Sequence, residues 1–358
     1  MRLATLVPHL DHVSYRYRWQ AYQPQLARRG WQCEEVALGT TLPQRLRAFR
    51  KAAAADVVVL LRKLLPIWQL LLLRKQAKSL VFDLDDAVYL RDSNASKPAY
   101  SRLRLGRYWA TLEAADLVTC GNQHLVETAA AYTRGAKVQH CPTCVDPQRY
   151  PLAAHRNTGS DCRLVWIGSR ATLPSLHDAR EQLAEATRAL PGLKLVAICD
   201  RSALALPILV QPRGWSAATE ARDLAAADIG LAWLPEHPFS DGKCGLKVLQ
   251  YMAAGLPVVA NPGGVHSAIV RHGETGWLVR TPGEFAAAVS RLAADPELRR
   301  RMGQAGRQRV ERHYSVSSWD PHVAASLDAA AQHIRPEAPP SLLPSFETKR
   351  DRSCATVA

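Results

Sequence analysis

Twelve short runs of β-branched and other apolar residues, separated by longer stretches of helical periodicity, constrain this chain more than any other feature. The runs are 3–7, 35–38, 56–61, 79–83, 117–120 and 137–141, then 163–168, 193–199, 208–211, 229–233, 257–260 and 277–279. Between them lie helical patterns such as 173–190 and 284–294. Apolar strands that alternate with helices form parallel sheets, because each crossover helix must bury its apolar stripe on a sheet face. Two series of about six strands predict two doubly wound α/β domains.

The polar stretch 155–161, HRNTGSD, stands just before the strand pattern RLVWIG and reads as the join. This divides the chain into a first domain over 1–155 and a second over 156–316. A last helical pattern covers 317–332. Residues 333–358 carry four prolines and little periodicity, which predicts a disordered tail.

With 358 residues and 47% hydrophobic side chains, the chain can bury large cores, and wholesale disorder is excluded. The formal net charge of +14 is uneven: residues 1–150 hold 22 basic and 12 acidic side chains, residues 151–358 hold 24 and 20. A basic first half suggests an anionic partner. No nucleic-acid motif accompanies the charge, so nucleic acid is not expected. The opening MRLATLVPHL reads as a strand rather than a targeting segment. The most hydrophobic stretch, 57–73, is interrupted by Arg62, Lys63, Pro66 and Gln69, and does not read as a membrane span. Eight scattered cysteines do not form a disulfide framework and point to a reducing cytoplasm. His140, Cys141 and Cys144 look like half a zinc site, but no second Cys-x-x-Cys exists to complete it.

The most informative segment is 238–270, PFSDGKCGLKVLQYMAAGLPVVANPGGVHSAIV. It reads as a loop, a helix entered near 242–245, a strand, and a second glycine-rich turn at Gly263 and Gly264. On that helix Lys243, Lys247 and Gln250 would stand at i, i+4 and i+7, on one face. Two ammonium groups at a helix N-terminus suit a phosphate, since free N–H groups and the helix dipole add to their charge. Gln250 could offer an amide to sugar hydroxyls. The stretch VFDLDDAVYL places Asp83, Asp85 and Asp86 where a strand ends, the edge at which parallel sheets bind ligands. Three readings stand there: cleft function, capping of the following turn, or a metal pair.

LKVLQYMAAGLPVVA with its following glycine turn resembles the donor-site signature of family 4 glycosyltransferases of the GT-B fold. SYRYRWQAYQPQLARRGWQ is similar to that family's first helix, and VWIGSRATLPSL to its opening second-domain strand. ADLVTCGNQHLVETAAAY, VDPQRYP, FDLDDAVYL and AAADIGLAWLP agree in order over roughly residues 1–320. The resemblance implies two Rossmann-like domains facing a cleft, with the last helix crossing back to the first domain. It implies a retaining, metal-independent hexosyltransferase, with a nucleotide-sugar as co-substrate and no further cofactor. The donor would lie against Gly168, Ser169, Arg170, Trp215, Lys243, Lys247, Gln250, Gly263 and Gly264. Catalytic candidates are Asp85, Asp86 and Lys243, and Tyr15 and Arg16 fall on the acceptor side. Where the family carries Glu, seven residues, Glu, this chain reads Gly242 and Gln250.

The acceptor implied is a glycan, a lipid-linked sugar or a small molecule, in cell-envelope polysaccharide synthesis. The stretch 62–78 has basic ends around Trp68 and several leucines, and makes an anionic membrane surface a candidate partner of a cytoplasmic, peripheral protein. Two alternatives stay open: a nucleotide- or sugar-binding protein without turnover, and a basic membrane-surface adaptor.

Overall fold

The computed structural model describes residues 1–156, 161–200 and 205–332. The expected tail 333–358 lies outside the described residues, as does most of the expected join. The first sheet contains β1 (Arg2–Val7), β2 (Gln32–Ala37), β3 (Val57–Leu61), β4 (Ser79–Leu84), β5 (Leu117–Cys120) and β6 (Lys137–His140). The second contains β7 (Arg163–Ile167), β8 (Lys194–Cys199), β9 (Leu209–Gly214), β10 (Ile229–Ala232), β11 (Val258–Ala260) and β12 (Gly276–Leu278). All twelve predicted runs are strands, displaced by a few residues at most.

The orders are β2-β1-β3-β4-β5-β6 and β12-β11-β10-β7-β8-β9, and the pairings are parallel. Central β3 and β4 are buried along their whole length, as a sheet covered on both faces requires. Edge strands β6 and β9 are largely exposed or half-buried. Each sheet reverses its winding once, between β1 and β3 and between β7 and β10. In open parallel sheets such reversals open a crevice at the carboxyl ends of the strands.

The helix pattern over 173–190 is two helices, Leu173–Asp178 and Arg180–Ala189, broken at Ala179. Both keep Leu176, Ala179, Leu183 and Ala186 buried against the second sheet. The last helix, Val316–Gln332, returns to the first domain. Val323, Ala324 and Leu327 join the core of Leu3, Val7, Trp19 and Val59, and Trp31 Nε1 donates to Asp328 at 3.1 Å. Among the described residues no helix is long and apolar enough to cross a membrane, and seven free cysteines make no disulfide.

Candidate functional site

On the first-domain side, the loops leaving β3 and β4 carry the charge. Arg62 follows β3 and takes the left-handed backbone conformation, with φ 45°. For a side chain of this size that conformation costs about 1–3 kcal/mol and persists only where the surroundings fix it. Here they do: its N–H donates to the Asp83 carbonyl at 2.8 Å, and its guanidinium donates to the Ser14 hydroxyl at 2.9 Å and to the Asp86 carboxylate. Asp85 lies 3.5 Å from the same guanidinium. Burial pushes the Asp85 carboxyl up, but Arg62, the Ser14 hydroxyl and Arg18 outweigh it and hold the group below the usual carboxylate range. His12 borders this cluster. Its pKa is lowered to about 4 by burial and by Arg62, so it is neutral near pH 7.

Asp83 is spent differently. Its carboxylate receives the guanidinium of buried Arg18, Trp19 Nε1 at 2.7 Å and the Thr119 hydroxyl at 2.7 Å. Those four bonds make it part of the core. Of the three readings of the DLDD stretch, the observed partners of all three aspartates are cations or hydrogen-bond donors of the chain itself. Among the described residues no group of three or more His, Cys, Asp or Glu is placed to hold a metal ion.

On the second-domain side, the helix starts at the far end of the expected 242–245 entry, beyond Lys243. Gly245 is its N-cap, in the left-handed conformation at φ 69°, and the helix is Leu246–Ala253. A glycine takes that conformation without the Cβ penalty, and the turn it makes throws Lys243 off the helix. The three side chains therefore do not share one helical face. Lys243 instead closes a short 3₁₀ turn, Pro238–Gly242, and reaches across to Asp86 at 3.0 Å with its ammonium over the Phe239 ring. Lys247 is in the first turn of the helix, its ammonium 4.7 Å from the Trp166 ring centre. Among the described residues it has no carboxylate within ion-pair distance. Burial, and then the charge of Lys243, lower its pKa to about 7.

The glycine turn Gly263–Gly264 leads into a helix of four residues, His266–Ile269, and Val265 and Ile269 pack on Gly245 at the start of the helix that bears Lys247. His266 is close enough to feel the charge of Lys247. Burial lowers its pKa to about 4, against the pull of the Asn261 carbonyl that its ring Nδ1 meets at 3.0 Å. Gly168, Ser169 and Arg170 follow β7 on the same edge, with Ser169 and Thr172 closing a capping box and Arg170 exposed. The loops after β7, β10 and β11 therefore converge on Lys247, as the winding reversal predicts.

The two sides are in contact. A Cβ built on Gly242 would run into the backbone nitrogen of Ala87, so only glycine lets these loops approach. Asn122 Nδ2 donates to the carbonyls of Asp241 and Lys243 at 2.9 and 3.0 Å, and the Cys244 thiol donates to the Asp85 carbonyl at 3.2 Å. At Gly242, where the resemblance led one to expect the first glutamate of the pair, Ala87 of the first domain fills the space a side chain would need.

The remaining expectations divide. Gln250 is buried, and its amide donates to the hydroxyls of Tyr17 and Tyr150 at 2.9 and 3.3 Å. Arg16 lies at the domain boundary, its guanidinium 4.8 Å from the Trp215 ring centre. Tyr15 is turned the other way, into the first-domain core, where its hydroxyl accepts from Gln23. Residues two apart on a helix point about 200° apart by the 3.6-residue period, so Val13–Arg18 sends Tyr17, not Tyr15, to the boundary. Sequence reading missed Arg62, Ser14, Asn122, Tyr17 and Glu220. For Arg62 the sequence does carry a signal, a basic residue directly after a strand, though it also opens the apolar stretch 62–78.

Residues 232–309 match the family described as glycosyl transferases group 1. A D-inositol 3-phosphate glycosyltransferase of Streptomyces bingchenggensis is 36% identical over 93 residues, 25% of this chain and 20% of that protein. The matched stretch thus spans about a fifth of the relative's length. Among solved structures, a sucrose-phosphate synthase from Thermosynechococcus elongatus superposes with a TM-score of 0.71 at 19% identity, covering 92% of this chain and 99% of that one. Anabaena HepE in complex with UDP and glucose gives 0.67 at 16% identity, covering 92% and 100%. The fold is GT-B, and the resemblance read from the sequence is borne out.

Proposed function

We propose that this GT-B chain, whose second domain carries the glycosyl transferases group 1 segment, transfers a sugar from a nucleotide-sugar to a hydroxyl acceptor. The observation that carries this is Lys247: a half-buried ammonium, without a carboxylate partner among the described residues, at the start of a helix beside a glycine turn. A cation so placed at a helix N-terminus suits a phosphate, to which the free N–H groups of the first turn also donate. The UDP of the HepE complex supplies the chemical class, a nucleoside diphosphate.

In this reading Lys247, Lys243, Arg170 and the amides of Gly263 and Gly264 stabilise the diphosphate as it leaves. Asp86 holds Lys243 across the cleft until the donor draws it away. The acceptor hydroxyl attacks from the leaving-group side, with retention, and its proton goes to the departing phosphate oxygen or to Asp85. No divalent cation is needed, because the cleft carboxylates are already neutralised by Arg62 and Lys243. The test is turnover of UDP-, GDP- and ADP-sugars by the full chain, read as release of the nucleoside diphosphate, with and without EDTA. We expect slow hydrolysis of one donor even without acceptor, unchanged in excess EDTA. No release from any donor would favour a binding protein without turnover, and loss in EDTA restored by magnesium would return Asp85 and Asp86 to the metal reading.

The acceptor side of the proposal is a lipid-linked or cell-envelope sugar at the inner face of a membrane. Its support is a surface, smaller than the sequence implied. The helix is Ile67–Gln76, not the whole of 62–78. Arg62 is in the cleft, and Arg74 pairs with Asp116 at 2.7 Å. What remains is Ile67, Leu71 and a 53% exposed Trp68, flanked by exposed Leu42 and Leu103 on the two helices packed beside it. Arg47, Arg50, Lys75 and Arg102 are exposed on the same three helices. Basic residues are worth about 1 kcal/mol each near an anionic surface. The chain should co-sediment with anionic vesicles, weakly with neutral ones, and be released by salt. Trp68→Ser should reduce the bound fraction several-fold. If the chain stays in the supernatant at low salt, the acceptor is a soluble sugar or metabolite.

A further inference from the structure

Glu220 begins the short helix Glu220–Ala225, is 3% exposed, and receives donors from both domains. Tyr17 of the first domain donates its hydroxyl at 2.9 Å, Trp215 donates its indole N–H at 2.8 Å, and Arg16 of the first domain stands at 3.6 Å. A buried carboxylate is expensive to desolvate, and such groups can often be replaced by apolar residues without loss of stability. What this one does with its bonds is fix the edge of Trp215. Trp215 as a whole residue stays 42% exposed, with the Arg16 guanidinium over the ring, 4.8 Å from its centre. Trp215 directly follows β9, and its N–H donates to the Cys199 carbonyl at the end of β8, on the same carboxyl edge as the loops that converge on Lys247. Tyr17 links the other end of the network to Gln250, one helical turn beyond Lys247.

Resting on the nucleotide-sugar reading, we propose that Glu220 is a positioning residue for the nucleobase of the donor. It holds Trp215 and Arg16 as a flat aromatic and guanidinium platform, on which a base can stack with charge-assisted support. Through Tyr17 it makes that platform complete only when the two domains are together. Gln250 is committed to the two tyrosines and serves this network.

The test is calorimetry on the full chain with UDP, GDP, ADP and inorganic pyrophosphate, for the wild type, Glu220→Gln and Tyr17→Phe. Each substitution should weaken the best nucleoside diphosphate roughly tenfold, the size of one charge-assisted hydrogen bond, and leave pyrophosphate affinity unchanged. The double variant should lose less than the product of the two, because both act on one network. Tyr17→Phe removes a single oxygen and keeps the ring, so it reads the network even if Glu220→Gln folds poorly. Equal losses for pyrophosphate and nucleotide would show a general structural role and overturn the proposal, as would unchanged affinity in both variants. A wild type that binds neither ligand would overturn the nucleotide-sugar reading itself.

Discussion

Lys247→Ala should weaken nucleotide-sugar binding about 10- to 150-fold, the range of one charged hydrogen bond worth about 1.5–3 kcal/mol. Lys243→Ala should cost less. Lys243 already has Asp86 at 3.0 Å and must leave it to reach a phosphate, whereas Lys247 has no counter-ion among the described residues to give up. The pH dependence follows from burial. With its pKa lowered to about 7, Lys247 is largely charged at pH 6 and largely neutral at pH 8.5 in the free protein. A bound diphosphate favours the charged form and raises that pKa, so binding takes up a proton. Affinity should therefore fall as pH rises above about 7, approaching tenfold per pH unit. A nucleotide-sugar is the right probe, since both its phosphates are esterified and lack the second ionisation near pH 6 that a terminal phosphate has. Calorimetry at pH 6, 7 and 8.5 measures the slope. A flat profile, or equal affinity for the wild type and both lysine variants, would remove these residues from the donor site.

Asp83→Asn should destabilise the first domain by about 3–5 kcal/mol, the usual consequence of stripping one partner from a buried ion pair. Arg18 is 1% exposed and Asp83 fully buried, so the orphaned guanidinium cannot turn to water. Trp19 Nε1 and the Thr119 hydroxyl bond to different oxygens of Asp83, and asparagine keeps only one of them, so one of the two donors would face an NH2 group instead of its acceptor. Because a two-domain chain need not unfold in one step, the quantity to follow is the urea transition that belongs to the first domain. Replacing both partners by apolar residues, Arg18→Met with Asp83→Leu, should recover much of the loss. A shift below about 1 kcal/mol in Asp83→Asn would mean that the pair is solvated and that these contacts contribute little.

Asp83 and Asp86 are three residues apart in one acidic run, yet only the fold separates their work. Asp83, within β4, faces a core of Arg18 and Trp19; Asp86, past the strand end, faces the opposite domain. A carboxylate in sequence carries no record of which cation will reach it.

What the sequence alone determined is the pair of parallel sheets. Runs such as Val57–Leu61 are buried on both faces, and β-branched continuity is a local property that no distant contact needs to supply. The glycine-rich turn after β11 and the basic residues of 243–247 were legible for the same reason: they are chemistry written at short range. Tertiary structure decided where those residues point. Gly245 ended the register that would have aligned Lys243 with Lys247, and the loop at Ala87 occupied the space above Gly242. Arg62 became a cleft residue because β3 lies beside β4 in the sheet, and Glu220 became a junction because the helix bearing Tyr17 meets it from the other domain. These are contacts between segments 24 to 203 residues apart. Periodicity reports which face of an element is buried, and is silent about what it is buried against.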